Sequence, residues 1–243
     1  MVLFHKEEII AREIKCYLEE NHYVEGMKLP SEREMTTLFH AQRITLRSAL
    51  QRLIHEGIIE VRDRKGYFVS HKKFEFDLNS FQSTTAVVHN MDKVVFSKIL
   101  YQAEKEIGND LSRIMEIPLG SKLYCIKRVR YLIDHENKIP IAIETSYVPM
   151  RLFPELMNQD MSNKSLYEMA ECEYNIKPKC FSRIISTVYA NKEEAELLEV
   201  HFKMPLLYQN GHMLTENGEF MEYIESLMRP DYFAFVKKSI PDK

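Results

Sequence analysis

Apolar residues recur at helical spacing in the first quarter of the chain and in β-rich runs after residue 90. Ile10, Ile14, Tyr17 and Leu18 fall at i, i+4, i+7 and i+8, the stripe of a first helix that ends near Asn21. Leu29-Pro30 then holds the chain extended, and Ser31 with Glu34 spells a capping box for a second helix with Met35, Leu38 and Phe39 on its inner side. After a turn near Ala41, Leu46, Ala49, Leu50, Leu53 and Ile54 predict a third helix, closed by Gly57. The β-rich runs 58–61 and 67–69, joined by Arg62-Asp63-Arg64-Lys65-Gly66, predict a hairpin with a basic tip.

Residues 70–80 alternate charged with apolar side chains and contain neither Gly nor Pro, which reads as an extended connector able to dock. Beyond it, β-rich runs occupy 94–101, 123–133, 139–148, 181–189, 206–214 and 220–228, with helical patterns at 109–115, 165–174 and 192–198. Turn signals at 135–138 and 216–219 join neighbouring runs into hairpins, so the second part is an antiparallel sheet with helices, an α+β fold. The expected organisation is a winged helix-turn-helix domain over 1–70, a linker over 71–82 and an effector-binding and dimerisation domain over 83–243.

Composition changes this picture at one place. With 45% hydrophobic and 28% charged residues, 243 residues can bury two separate cores. The formal net charge is only −3, yet residues 41–73 hold eight Lys/Arg against three Asp/Glu, an excess of five positive charges. A local basic patch on an otherwise acidic chain suits contact with phosphates at one place. Cys16, Cys125, Cys172 and Cys180 are scattered without metal-ligand spacing, so reduced thiols and no cofactor are expected. Lys6, Glu7 and Glu8 interrupt the apolar start, and no stretch has membrane-spanning length; a cytoplasmic protein is expected.

The core of the third helix leaves Gln42, Arg43, Thr45 and Arg47 unclaimed near its start. Arg pairs bidentately with guanine, Gln with adenine, and Thr reaches phosphate or a thymine methyl, which are the contacts a recognition helix needs. A solvated helix face is the bland alternative, disfavoured by the basic hairpin that follows. Arg64 and Lys65 at its tip can reach a groove or phosphate, Gly66 supplies the turn's conformational freedom, and Arg33 lies outward in the first turn of the second helix.

In the second part, Arg128 and Arg130 are two apart on a strand, so both side chains leave the same face. Such a pair repels itself unless an anion or carboxylates lie between, and it can clamp a phosphate or carboxylate. A surface charge ladder with Glu144 or Glu222 is the even alternative. Ser83, Thr84 and Thr85 read as a hydroxyl-rich loop, in which ordinary turn chemistry competes with ligand binding. Ser165 and Tyr167 straddle a helix start, where Ser165 is either an anion ligand or a plain cap.

The set Leu-Pro-Ser-Glu-Arg-Glu, Thr-Leu-Arg-x-Ala-Leu, Glu-Gly-Ile-Ile and Lys-Gly-Tyr-Phe-Val resembles the winged helix of the GntR family of bacterial transcription regulators. Arg128-Val-Arg130, the Ile-Pro-Ile-Ala-Ile-Glu144 run, Ser165-Leu-Tyr167, Met204-Pro-Leu-Leu and Glu222 ahead of Arg229-Pro-Asp231 resemble the effector domain of its HutC subfamily, which has a chorismate-lyase-like fold. The resemblance implies DNA contacts by Arg33, Arg43, Thr45 and Arg47, with the wing glycine at Gly66. Gln42 and the charged wing depart from the common pattern, and so does Met228, where sugar-phosphate-binding relatives often carry Tyr. It also implies that Ser83, Thr84, Thr85, Arg128, Arg130, Ser165 and Tyr167 hold the anionic end of an effector, with Glu144 and Glu222 facing its hydroxyl or amine groups. The expected function is a homodimeric regulator, a repressor, that binds double-stranded operator DNA and is released by a small anionic metabolite such as a sugar phosphate. A carboxylate effector and a chorismate-lyase-like enzyme are the alternatives.

Overall fold

The computed structural model describes residues 6–62, 65–80, 82–134, 137–162 and 164–237, and the chain divides into two compact units, 1–72 and 73–243. In the first, α1 (Lys6–Glu20), α2 (Glu32–Leu38) and α3 (Arg43–His55) precede the antiparallel hairpin β1 (Ile59–Arg62) and β2 (Gly66–Val69). The capping box forms as read: Ser31 Oγ accepts from the Glu34 amide at 3.3 Å, and Glu34 Oε2 accepts from the Ser31 amide at 2.7 Å. Ile14, Leu18, Met35, Leu46, Ala49, Leu50 and Leu53 form one buried core with Leu29 and Ile59. Truncating one of these leucines to alanine removes about 2–5 kcal/mol. Leu38, expected inward, is instead 46% exposed because the seven-residue α2 ends before its last turn can pack. Gly57, at φ +71°, follows α3 in the left-handed region that glycine adopts without strain.

The second unit is built on six antiparallel strands in the order β4-β5-β6-β9-β8-β7. They are β4 (Val94–Glu106), β5 (Lys122–Asp134), β6 (Asn137–Pro149), β7 (Pro178–Tyr189), β8 (Pro205–Thr215) and β9 (Phe220–Met228). Helices α5 (Asn109–Met115), α6 (Leu166–Tyr174) and α7 (Lys192–Leu197) join them, so the expected α+β layout holds. The β5–β6 register closes at Asp134 opposite Asn137; His135 and Glu136 of the expected turn lie outside the described residues.

Two features were not expected. The segment Ser83-Thr84-Thr85 is not a loop but a helix start: Ser83 caps α4 (Thr84–His89), its Oγ accepting from the Ala86 amide at 3.0 Å. A six-residue helix is too short to show a period in sequence. Within 71–82, β3 (Phe74–Asp77) pairs in parallel with β10 (Phe233–Val236) in a ribbon of its own. Phe74, Phe76 and Phe233 pack there with Val87, Val88, Ala142 and Met228. Met228 therefore belongs to a buried core.

Candidate functional site

In the first unit, Arg33, Arg43 and Arg47 are exposed, as is Gln42, while Thr45 is half-buried. Gln42 stands just outside α3 as its cap residue, without a capping hydrogen bond from its side chain. Arg43, Thr45 and Arg47 therefore occupy the first turns of α3, beside Ile44, which is 81% exposed. Sequence reasoning passed over Ile44; an apolar side chain left in water on such a helix suits a thymine methyl. Arg47 is held by Glu32, Nε to Oε2 at 3.0 Å, and the other oxygen of Glu32 accepts from Tyr67 at 2.9 Å. Glu32 thus ties α2, α3 and the hairpin together. Arg62, counted with the basic tip, is drawn back by Glu60 at 2.7 Å and lies over the Phe68 ring at 4.2 Å. Lys65 is exposed in the turn just before β2, Gly66 has φ +99°, and Arg64 lies outside the described residues.

In the second unit, the sheet brings Arg128, Arg130, Glu144, Glu222, Ser165 and Tyr167 around one cavity of about 30 Å³, with Ser83, Thr84 and Thr85 of the α4 segment also lining it. All four charged groups are buried, so a solvent-exposed charge ladder is not what forms. Arg128 and Glu144 are register partners on β5 and β6, and Arg128 Nη2 lies 3.2 Å from Glu144 Oε2. Arg130 Nε stands 3.7 Å from the same oxygen, and Thr84 donates to Oε1 at 2.5 Å. Burial alone would raise the Glu144 pKa, but the guanidinium groups of Arg130 and Arg128, with hydrogen bonds from Thr84 and Arg128, hold it below the usual carboxylate range. Arg130 also donates from Nη1 to Ser97 Oγ at 2.8 Å and from Nη2 to Thr85 Oγ1. Burial brings its pKa down to about 10, so it stays charged at neutral pH.

Glu222 differs. It receives a hydrogen bond from the Tyr167 hydroxyl, and burial pushes its pKa above the ordinary value despite that bond and one from Ser146. The same burial, with the charge of Glu222, raises Tyr167 well above its ordinary value, so the tyrosine remains a donor. Ser165 occupies the cap position of α6 without capping it. Its Oγ is buried and has no hydrogen-bond partner among the described residues; neither have Arg128 Nη1, Arg130 Nε, Gln209 Oε1 and Ser226 Oγ. All five atoms belong to residues that line the cavity. Buried polar atoms left unpaired cost about 1–3 kcal/mol each, and here five of them gather around one cavity. Ser97, Gln209, Ser226 and Arg183 were missed in sequence; the available signal was polar residues at inward positions of otherwise apolar strands.

The comparisons agree with this division. Residues 6–69 match the model for bacterial regulatory proteins of the gntR family, and residues 90–234 match the UTRA domain. The chain is 29% identical over 227 residues to the HTH-type transcriptional repressor NagR of Bacillus subtilis, spanning 93% of this chain and 91% of that protein. It is 24% identical to the mannosyl-D-glycerate transport/metabolism system repressor MngR of Escherichia coli, spanning 93% and 92%. The crystal structure of PhnF from Mycobacterium smegmatis shares the fold with a TM-score of 0.70 at 21% identity, covering 96% of this chain and all of that one. These relatives are regulators and not enzymes, which removes the lyase alternative. The chain belongs to the GntR family of bacterial transcription regulators, in the HutC-type architecture that joins a DNA-binding helix-turn-helix to a UTRA effector-binding domain.

Proposed function

We infer that the protein is a homodimeric repressor whose operator binding is released by a small anionic metabolite, of the sugar-phosphate class, held between Arg128, Arg130 and the hydroxyls around them. The observation that carries this reading is the cluster of buried, unpartnered polar atoms beside two charged arginines in one cavity. A phosphate would take up Arg128 Nη1, Arg130 Nε and Ser165 Oγ, and hydroxyl groups would face Glu144 and Glu222. The relative named as repressor of a mannosyl-D-glycerate transport/metabolism system supports the same direction.

On the DNA side, Arg33, Gln42, Arg43, Thr45 and Arg47 read or anchor the major groove, with the wing residues Arg64, Lys65 and Gly66 at the adjoining groove. Two copies related by a two-fold axis would read the halves of a pseudo-palindrome. Coupling follows from the size of the cavity. At about 30 Å³ it is smaller than a metabolite of this class, so its walls must part to admit one. Thr84 and Thr85 of α4 touch Glu144 and Arg130 directly, and β3, next to α4 in sequence, follows immediately on the DNA-binding unit. An effector that favours the non-binding arrangement by about 3 kcal/mol would weaken operator binding more than a hundredfold.

A thermal-shift screen of the full chain against phosphorylated sugars and small carboxylates, repeated with Arg130→Ala, tests the reading. Stabilisation by a phosphorylated sugar, lost in the variant, is expected; a ligand that stabilises both proteins equally would place the site elsewhere.

A further inference from the structure

The cavity extends past the Arg128–Arg130 cradle to a second basic end. Arg183 enters the lining from β7, on the far side of the sheet, and is half-buried. Its guanidinium has no acidic partner among the described residues and lies 6.0 Å from the centre of the Phe76 ring, at the outer limit of a cation–π interaction. A half-buried arginine facing a polar cavity without a counter-charge is poised for an anion.

The register places this end. Arg183 pairs with Gly211 on β8, and Gly211 with Ile224 on β9, whereas Arg128, Glu144, Ser226 and Gln209 form the adjacent row across β5, β6, β9 and β8. Four strand steps separate Arg128 from Arg183. At about 4.8 Å per step their backbones lie at most roughly 19 Å apart along the sheet, and both side chains line the one cavity. Between the two ends stand Gln209 Oε1 and Ser226 Oγ, both buried and unpartnered. They suit the hydroxyl groups of a chain running from one end to the other.

Charge points the same way. At the first end, two arginines face one ionised carboxylate, Glu144, leaving one positive charge over. Arg183 adds another at the second end. Glu222, the remaining acid of the lining, is bonded to Tyr167 and held towards its neutral form by burial.

We propose that Arg183 forms a second anion-recognising subsite, and that the effector is a phosphorylated sugar acid: a polyhydroxylated chain with a phosphate at Arg128 and Arg130, hydroxyl groups at Gln209 and Ser226, and a carboxylate at Arg183. The proposal rests on the anion-binding reading of the first end and goes beyond it in requiring two anionic groups. A single guanidinium fork matches a planar carboxylate bidentately. A sugar phosphate without the acid group leaves Arg183 unpaired in the closed cavity and binds more weakly.

The test compares two open-chain probes that differ only at the terminal carbon, glucitol 6-phosphate and 6-phosphogluconate, by calorimetry on the full chain. The wild type is expected to bind 6-phosphogluconate at least tenfold more tightly, Arg183→Met to bind both equally, and Arg183→Lys to keep part of the preference. Equal affinities in the wild type, or an unchanged preference in a folded Arg183→Met protein, overturn the second subsite. Glucitol 6-phosphate binding that Arg130→Ala abolishes keeps the first end intact in that event. A wild type that binds neither probe overturns both.

Discussion

Arg128 and Glu144 face each other across β5 and β6 with both side chains buried, their nearest atoms 3.2 Å apart, and Arg130 stands 3.7 Å from the same carboxylate oxygen. One acid therefore compensates two buried guanidinium groups. Glu144→Gln keeps the shape and removes the charge, leaving two buried cations without their counter-charge. Breaking a buried pair in this way costs about 3–5 kcal/mol. Urea denaturation of the full chain should show a loss in that range, much of it recovered by a saturating anion; a loss below about 1 kcal/mol would mean that water already compensates the arginines.

The same pair has a pH signature. The Glu144 pKa is depressed in the folded state, so its stabilisation is complete above the unfolded carboxylate range and is lost as pH falls through the lower folded value. Glu222 has the opposite sign. Its raised folded value means that its contribution is present below the unfolded range and fades as pH rises through the folded value. Glu222→Gln fixes the neutral form. Its stability relative to wild type should therefore improve on going from pH 5 to pH 8, as followed by thermal denaturation across that range; a parallel pair of curves would show Glu222 ionised throughout.

On α3, Arg43 is exposed and makes no ion pair within 4 Å among the described residues, whereas Arg47 is already paired to Glu32. Arg43→Ala is expected to remove about 1–3 kcal/mol of sequence-specific operator binding and to relax preference at one base position. Glu32→Ala should act differently, freeing both Arg47 and the Tyr67 hydroxyl and so loosening the hairpin against the helices. Fluorescence anisotropy on an operator recovered from a random library separates the two. An unaltered affinity of Arg43→Ala would remove α3 from the reading role.

Gly211 pairs with Arg183 next to the β7 irregularity between Cys180 and Ser182, and a Cβ there would lie 2.6 Å from the Ser182 carbonyl oxygen. Gly211→Ala must push two hydrogen-bonded backbones apart, at a cost of about 1–3 kcal/mol. Because Gly211 and Arg183 are register partners, discrimination between the two phosphorylated probes should fall with stability. Chemical denaturation alongside calorimetry checks this; a variant as stable as wild type would show that the strand yields freely.

Much of this was legible in the chain because its signals are local. The capping box of Ser31 and Glu34, the spacing of Leu46, Ala49, Leu50 and Leu53, and the i, i+2 placement of Arg128 and Arg130 are all read within a few residues. What stayed hidden depends on partners distant in sequence. That Glu144 rather than Glu222 meets both arginines follows from the β5–β6 register. Ser97 joins the site because it pairs with Arg130 across β4. Arg183 gains meaning only once β7 is placed at the sheet edge beside β8. The helix at Thr84–His89 escaped because hydroxyl residues read as turn chemistry until the apolar residues after them are seen to pack.

The parallel pairing of β3 with β10 bears on how the molecule is made. Phe74 and Phe76 find their partners, Phe233 and Phe235, only after the whole intervening sheet has been synthesised. The first unit, whose core is complete by Val69, can close while the ribosome is still adding the rest. The chain is thus expected to pass through a stage in which the reading head is folded and the second unit still waits for its last strand, with the aromatic residues of 74–76 uncovered. A stall or premature stop before Phe233 would release a molecule with a competent helix-turn-helix and an unfinished sensor, and such products should be drawn to chaperones or proteases through that one exposed strand.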